Sequence, residues 1–336
     1  MKSILSYSLL AGAMAAGVAV AQPTTATTKP VGYVTETIKA GQFNLIGLTV
    51  QQPTVRASVL TGINSTSVSD TGVDFTSLLT AGQTYVLKIT DGPGAGTISE
   101  VVSWNANSLT TVGNLTTAGV ANGAKYQLRK AATLSDVFGA SNAAGLQAGT
   151  ISTADIVWIP TGGGNFAKYF YSPAVSFPAP APAGWKNTAG VNSANVPIVY
   201  ADSIFIQRRG ATDLALVVSG EVETSSTSMV LEGGVFNYVG GVYPAGSTLG
   251  SSNLASQVQA GTLSTGDLVW VPDGLGGYAK YYYSPAVSFP APAPASWKST
   301  AGTDATNAEL KSGIIIQRRG ATKSVVVSPP ASYGNL

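Results

Sequence analysis

A long internal repeat constrains this chain more than any other feature of its sequence. Residues 148–190 (AGTISTADIVWIP and onward) match residues 260–302 (AGTLSTGDLVWVP and onward) at a constant offset of 112. Farther on, IFIQRRGAT at 204–212 matches IIIQRRGAT at 314–322 at an offset of 110. Matches of this length indicate a duplicated structural unit, so we expect both copies to fold into the same local architecture.

The duplication also predicts where the units begin and end. The segment GYVT beginning at Gly32 resembles GEVE beginning at Gly220. We therefore expect a first unit over 32–219 and a second unit over 220–336. The first unit is longer than the second, which predicts an insertion in the first unit that spans about residues 54–132.

The N-terminus has the pattern of a signal peptide. Lys2 gives a positive start, residues 4–20 are apolar or small, and Ala-Val-Ala stands just before Gln22. We expect residues 1–21 to be removed on export to the periplasm, the cell surface or the extracellular space, leaving 22–31 as a flexible segment. The alternative, an N-terminal membrane anchor, is disfavoured because the apolar stretch is short and rich in Ala and Gly. We expect no membrane-spanning segment after it, because no later stretch is long and apolar enough.

The remainder of the chain has the composition and spacing of β-strands. YVLKIT at 85–90 and TISEVVSW at 97–104 flank a Gly-rich turn, which predicts a hairpin. The one helix candidate is TLSDVFGASNAA at 133–144, with Ser135 or Asp136 as its cap. With 39 Gly and 18 Pro between the strands, the sequence predicts an all-β fold of two tandem sandwich- or barrel-like units with Gly/Pro-rich loops.

A proline-rich segment, FPAPAPA, occurs in both copies, at 177–183 and 289–295. Such a segment adopts a stiff, extended polyproline conformation. Docking of a partner is one interpretation. We favour a stiff connector that carries the chain across one face of the unit, because the segment is short and framed by aromatic residues.

The charge balance excludes some partners. The formal net charge is +2, or +1 without Lys2, and only 10% of the residues are charged. A nucleic-acid-binding protein that works through its electrostatic field would be far more basic. A surface with so little charge repulsion predicts self-association instead.

The chain has no His and no Cys. It therefore lacks the groups for Ser-His-Asp or Cys-His catalysis and for His- or thiolate-bound metals, and we expect no cofactor and no enzymatic activity. Clustered Asp and Asn at calcium-loop spacing are also missing from the sequence. Only carboxylate or lysine chemistry is left open.

Two acidic residues and two arginine pairs recur in the repeat. Asp155 and Asp267 precede equivalent strands, and we expect them to accept hydrogen bonds from backbone N–H groups rather than to act in catalysis. Arg208-Arg209 and Arg318-Arg319 follow apolar runs. Because side chains alternate along a strand, one arginine of each pair should point inward and need a carboxylate or carbonyl partner.

Repeated aromatic residues are the candidate ligand-binding residues. Exposed flat rings can stack on sugars or on a neighbouring subunit. The alternative for each is a place in the core, which we favour for the two tryptophans, whereas the tyrosines stay open. The candidates are Tyr169, Tyr171, Tyr281, Tyr283, Trp185 and Trp297.

The order of these motifs resembles a known type of protein. TLSDVFG, then a strand ending in Trp-Ile/Val-Pro, then Lys-Tyr-Phe/Tyr-Tyr, a Trp and a strand ending in Arg-Arg are similar to a paralogous family of exported bacterial proteins of unknown function. YVLKIT and GAGTISEVVSW resemble another recurring stretch of that family. In the second copy TLSDVFG is replaced by TLGSSN at 248–253. The resemblance implies export and β structure, and it implies no activity.

The sequence thus predicts an exported, non-enzymatic envelope or extracellular scaffold protein that self-associates. The alternative is a carbohydrate-binding protein that takes envelope polysaccharide on the repeated aromatics. A carboxylate-only hydrolase would need two converging acidic groups. An outer-membrane barrel fits poorly with the Pro-rich segments and with the Asn335-Leu336 terminus.

Overall fold

The computed structural model describes residues 29–176, 180–199, 202–241, 243, 245–289 and 292–335. The expected signal peptide and most of the expected flexible segment lie outside these ranges. Residues 29–31 of that segment are described. The Pro30 carbonyl accepts a 2.8 Å hydrogen bond from the Val222 N–H, and a strand begins at Val31.

The predicted all-β fold is confirmed, because strands make up nearly all the regular structure of the described residues. In chain order they are β1 (Val31–Ile38), β2 (Phe43–Gly47), β3 (Val50–Gln51), β4 (Thr54–Val59), β5 (Gly62–Ile63), β6 (Ser67–Ser69), β7 (Tyr85–Asp91), β8 (Ile98–Trp104), β9 (Ser108–Thr111), β10 (Lys125–Lys130), β11 (Ala132–Thr133), β12 (Ile156–Gly162), β13 (Asn165–Ser172), β14 (Gly184–Asn187), β15 (Pro197–Ile198), β16 (Ser203–Gln207), β17 (Leu214–Val222), β18 (Thr227–Leu231), β19 (Phe236–Gly240), β20 (Leu268–Pro272), β21 (Tyr278–Ser284), β22 (Ser296–Ser299), β23 (Gly313–Gln317) and β24 (Lys323–Val327).

Two five-stranded antiparallel sheets have the same strand order. The first runs β14-β13-β12-β16-β2 and the second runs β22-β21-β20-β23-β19. Their registers agree residue for residue, since Val157 pairs with Tyr169 and Val269 pairs with Tyr281. The repeated sequence therefore forms the same sheet twice.

Each five-stranded sheet is accompanied by a smaller sheet. The first has the order β1-β17-β3, and the second consists of β18 and β24. The expected unit boundary between Ser219 and Gly220 falls inside strand β17 and is wrong. Gly32 and Gly220, which the sequence suggested were equivalent, are instead pairing partners in the β1–β17 ladder. The counterpart of β1 in the second unit is β18, which precedes Phe236 as β1 precedes Phe43.

The segment from Thr54 to Lys130 forms a seven-stranded sheet, which we call the insertion sheet, in the order β4-β10-β7-β8-β9-β6-β5. The hairpin expected around residues 91–96 is its β7–β8 pair. It has its own apolar core, centred on Phe75, Leu87 and Tyr126. Helix α1 (Phe75–Leu78) lies within this segment, and the Asp74 side chain caps it by accepting from the Thr76 N–H.

Helix formation in the predicted segment 133–144 is limited to α2 (Leu134–Phe138). Its cap is Thr133 rather than Ser135 or Asp136. Asp136 has the reciprocal role, because its carboxylate accepts from the Thr133 N–H in a capping box. Gly139 ends the helix at a positive φ of 86°. Two 3₁₀ turns, Leu254–Ser256 and Ala331–Asn335, lie in the second unit.

The proline-rich segments, expected to act as stiff connectors across one face of each unit, are described only in part. Val175 pairs with Ala181 and Val287 pairs with Ala293, and the described residues between these partners are exposed. Phe289 in the second segment is 83% exposed. Residues 177–179 and 290–291, within the two segments, lie outside the described ranges.

The two units share one hydrophobic core. Ile38, Leu216 and Trp185 of the first unit belong to the same buried cluster as Leu231 and Trp297 of the second. The units also touch directly at their edge strands. A Cβ atom on Gly47 would lie 2.8 Å from the Gly240 Cα and 2.9 Å from the Gly241 nitrogen, so glycine is needed for this approach.

Candidate functional site

The two tryptophans proposed as ligand-binding residues are core residues. Trp185 is 0% exposed and Trp297 is 1% exposed. The Trp185 indole N–H donates a 2.9 Å hydrogen bond to the Gly139 carbonyl, and the ring packs against Phe138. The structure therefore contradicts a ligand-binding role for Trp185 and Trp297, because no face of either ring reaches solvent.

The four candidate tyrosines are half-buried on the inner face of their sheets. Tyr169, Tyr171, Tyr281 and Tyr283 all pack against the shared core. The Tyr171 ring contacts Trp185 at a centroid distance of 5.6 Å, and Tyr283 contacts Trp297 at 5.4 Å. Burial raises the pKa of Tyr169. Tyr171 and Tyr283 are thus held edge-on to the tryptophans, and all four tyrosines have a packing role at the core boundary.

A second aromatic row lies on the opposite face of each sheet. Trp158 packs edge-on against Phe43 at 5.6 Å, and Trp270 packs against Phe236 at 5.5 Å. A lysine ammonium covers each tryptophan, with Lys168 4.0 Å from one ring and Lys280 3.8 Å from the other. Phe43 and Phe236 were not predicted as site residues, although they occupy matching positions in the two copies. Phe43 pairs with Gln207 on β16, and Phe236 pairs with Gln317 on β23.

The repeated carboxylates hold buried ion pairs. Asp155 pairs with Arg208 and also accepts from the N–H groups of Gln147, Arg209 and Gly210. Asp267 repeats the arrangement with Arg318 and with the N–H groups of its own unit. Both expectations are confirmed, since each aspartate accepts backbone hydrogen bonds and the inward arginine of each pair has a carboxylate partner.

Two clefts occupy equivalent positions between the units. The first cleft, about 520 Å³, lies between β18 and β19 of the second unit and the β12–β13 turn of the first. The second cleft, about 310 Å³, lies between β1 and β2 of the first unit and the β20–β21 turn of the second. The insertion sheet adds a further wall to the first cleft through residues 97–100 and 112–115, which explains its larger volume.

The two clefts differ in charge. Glu100, Asp202 and Glu232 line the first cleft, and none of its described lining residues is Lys or Arg. The Asp202 side chain is exposed to solvent in the cleft, and desolvation by the surrounding cleft walls raises the pKa of its carboxyl group to about 6. Two aromatic side chains, Phe236 and Tyr238, complete the wall.

In the second cleft the charges are mixed. Lys39 stands where the first cleft has Glu232, and Ser312 stands where it has Asp202. Lys311 adds a second positive charge, and Glu36 is the one carboxylate among the described lining residues. Desolvation raises the pKa of Glu36, with a hydrogen bond from Ser312 opposing the shift. Duplication thus produced two clefts at equivalent positions with different electrostatics.

Buried ion pairs fix the insertion sheet beside the first cleft. The Lys88 ammonium on β7 lies 2.9 Å from the Glu223 carboxylate and 3.0 Å from the Thr227 hydroxyl, and both charged side chains are at most 2% exposed. Arg129 on β10 pairs with Glu221 at the end of β17. Because these partners lie at the junction of the two units, the insertion is held against both.

Comparison of the chain with protein-family models, with curated proteins and with solved structures finds no match. Within the described ranges, no group of three or more acidic side chains converges closely enough to hold a metal ion. No helix of the described chain is both long and apolar enough to cross a membrane.

Proposed function

We propose that this chain is an exported, non-enzymatic structural protein of the cell envelope or extracellular space that assembles with copies of itself. The observation that carries the proposal is an apolar patch on the outer face of the β1–β17 ladder. Val31 is 74%, Tyr33 77% and Val217 57% exposed. Tyr33 pairs with Ser219 and Thr35 with Val217, which places Tyr33 and Val217 as diagonal neighbours on one face. Exposed apolar side chains that adjoin one another are typical of interaction surfaces.

The state of the charged residues supports a structural role over a catalytic one. Most buried charges of the described chain are paired with an opposite charge, as is common for structural ion pairs. These pairs are Arg56–Asp70, Lys88–Glu223, Arg129–Glu221, Arg208–Asp155 and Arg318–Asp267. Together with a sequence free of His and Cys, this arrangement favours a scaffold.

Self-assembly is tested by multi-angle light scattering over a hundredfold range of protein concentration. We expect a mass that rises with concentration and a shift toward the monomer in the double variant Tyr33→Ser, Val217→Ser. Leu275→Ser is the matched control, because Leu275 is 84% exposed but lies in the β20–β21 turn. A monomer at every concentration would contradict the proposal.

A carbohydrate-binding function is the second candidate, and the first cleft favours it. Its wall combines the Phe236 ring with Asn165, Asn237 and carboxylate side chains, which suit stacking on a sugar ring and hydrogen bonding to hydroxyl groups. This site differs from the aromatic residues expected from the sequence.

Glycan binding is tested by retention on a panel of soluble and insoluble polysaccharides. We expect Phe236→Ala to weaken retention and Phe43→Ala, its equivalent in the second cleft, to leave it unchanged. Both rings pack on a tryptophan in the same way, so the two variants have matched structural costs. If no polysaccharide retains the protein, this second candidate fails.

A further inference from the structure

Strand β1 has an open edge in the described structure. Its eight residues pair with β17 on one side, with no shift of register. Among the described residues, no backbone hydrogen bond joins β1 to any segment on its other side. An unpaired strand edge offers a row of N–H and C=O groups to another strand.

The corresponding edges of the second unit are covered. The Gln257 side chain both donates to the Val326 carbonyl and accepts from the Val326 N–H, which closes the outer edge of β24. On β18, the Ser228 N–H donates a 2.8 Å hydrogen bond to the Gly96 carbonyl of the insertion. The chain thus contacts the edge of β18, the counterpart of β1, whereas no described segment pairs with the outer edge of β1.

The ladder geometry fixes which groups point toward the open edge. The Val222 N–H donates to the Pro30 carbonyl, so Pro30 and Val222 form a hydrogen-bonded pair. In an antiparallel ladder such pairs alternate, so the even-numbered residues of β1 point their backbone groups at β17. Val31, Tyr33, Thr35 and Thr37 therefore direct their N–H and C=O groups outward, and the side chains of all four are exposed.

We propose that β1 pairs in antiparallel fashion with β1 of a second copy, about a two-fold axis at Val34. This register places Val31 opposite Thr37 of the second copy and Tyr33 opposite Thr35 of the second copy. It uses all four outward residues and forms about eight backbone hydrogen bonds. The result is a continuous six-stranded sheet through two molecules, a closed and self-complementary arrangement. The inference rests on the proposed self-assembly and names its interface.

Three features of the strand favour a second copy as the occupant. The register puts Glu36, the one charged residue of β1, opposite Gly32 of the second copy, so like charges do not face each other. The strand VGYVTETI contains no Lys, no Pro and no bulge, which are the devices that block edge pairing. The exposed Tyr33 would lie diagonal to Tyr33 of the second copy across the axis, which would cover part of both rings.

A single cysteine tests the register, because the chain has none of its own. In the variant Val34→Cys, the two sulfur-bearing residues would face each other with Cα atoms about 4.5 Å apart, within the range for a disulfide. Val218→Cys is the matched control. Val218 is the pairing partner of Val34 on β17 and is equally half-buried. Its two copies would stand three strand spacings apart, about 14 Å, too far for a disulfide.

After mild oxidation of the full chain, we expect Val34→Cys to give roughly tenfold more disulfide-linked dimer than Val218→Cys on a non-reducing gel. Thr35→Pro in the Val34→Cys background should abolish that dimer, because it removes an outward N–H and no bond to β17. Circular dichroism confirms that this variant stays folded.

Equal dimer yields from the two cysteine variants would overturn the register whatever the proline variant does. Concentration-dependent assembly without Val34→Cys dimer would refute this interface and leave the proposed function standing. A strictly monomeric protein without dimer would refute both.

Discussion

The two units of this protein share strand order and register, and they differ in what the insertion sheet covers. In the second unit, the insertion contacts β18 through Gly96 and adds a wall to the first cleft, which is acidic and about 520 Å³. In the first unit, no described segment pairs with the outer edge of β1, and the second cleft, about 310 Å³, has a mixed lining. The insertion belongs to the first unit in sequence but closes surfaces of the second.

This difference shows which features the two copies share and which features have diverged between them. The buried Asp–Arg pairs, the core tryptophans and the Trp–Lys contacts recur in both units with nearly the same distances. The changes fall on surfaces, where Lys39 faces one cleft and Glu232 the other. The comparison therefore predicts equal stability effects at repeated core positions and unequal effects at positions touched by the insertion.

The largest expected effects come from the repeated ion pairs. Asp155→Ala and Asp267→Ala each leave a buried arginine without a carboxylate, and each should cost about 3–5 kcal/mol of unfolding free energy. Denaturant titration should give equal costs, because the hydrogen-bond partners are equivalent. The control Glu309→Ala breaks an exposed pair with Lys311 and should cost less than about 1 kcal/mol. A large inequality between the two aspartates would break the comparison.

The anchor of the insertion has no counterpart in the second unit. Lys88→Ala leaves Glu223 buried and unpaired, and we expect a loss of about 3 kcal/mol. Replacing both partners by apolar residues of similar size, Lys88→Met with Glu223→Leu, should restore most of that stability. The double-mutant cycle, followed by urea unfolding, measures the coupling between the two side chains. Additive single effects would show that the ion pair does not fix the insertion.

Whether a feature of the fold or of the site could be predicted depended on whether a local sequence pattern encodes it or whether it arises from contacts between distant segments. Asp155 and Arg208 could be assigned structural roles because a repeated carboxylate before a strand and an inward arginine each need a partner. The boundary at Gly220 was wrong because the pairing of β17 with β1 joins residues about 180 positions apart, and no local pattern encodes that ladder. The clefts were missed for the same reason, since their walls come from three separate stretches of chain. The burial of Trp185 and Tyr171 could not be predicted with certainty from the sequence. Side chains alternate between the two faces of a strand, but this alternation does not show which face is covered by other elements.

The junction of the units is sensitive to a single methyl group. Gly47→Ala would place its Cβ 2.8 Å from the Gly240 Cα, against backbone that cannot move aside cheaply. We expect a loss of about 1–3 kcal/mol by overpacking. Gly184→Ala is the matched control, because a Cβ there meets nothing within 4 Å. If both variants unfold at the same denaturant concentration, the units are not held together by this contact.

The stability should respond to pH through Lys88. Desolvation lowers the pKa of Lys88 from 10.5 to about 8 in the folded protein. Between these values the unfolded chain binds more protons than the folded one, so stability from this group rises as the pH increases above about 8. From pH 8 to 9.5 the gain should be about 1–2 kcal/mol. The measurement stops there because burial raises the pKa of Tyr126 and of Tyr243, which removes stability once tyrosines ionise. The variant Lys88→Met should lack the rise, and an identical rise in both proteins would assign it to another group.

The smallest expected effect tests the equivalence of the two units most finely. Lys168 and Lys280 cover Trp158 and Trp270 at 4.0 Å and 3.8 Å, on the same face of matching sheets. Lys168→Gln and Lys280→Gln remove the cation but keep most of the aliphatic contact, so each should cost about 0.5–1 kcal/mol. Lys186→Gln on β14 is the control, because it removes a half-buried lysine of the same sheet. The three are compared by denaturant unfolding with tryptophan fluorescence, whose spectrum should also change for the first two. Equal losses of unfolding free energy at Lys168 and Lys280, both larger than the loss at Lys186, would show that the two units are equivalent on these sheet faces as well as in their cores. A cost at only one of them would place the divergence of the two copies on the sheet faces as well as in the clefts.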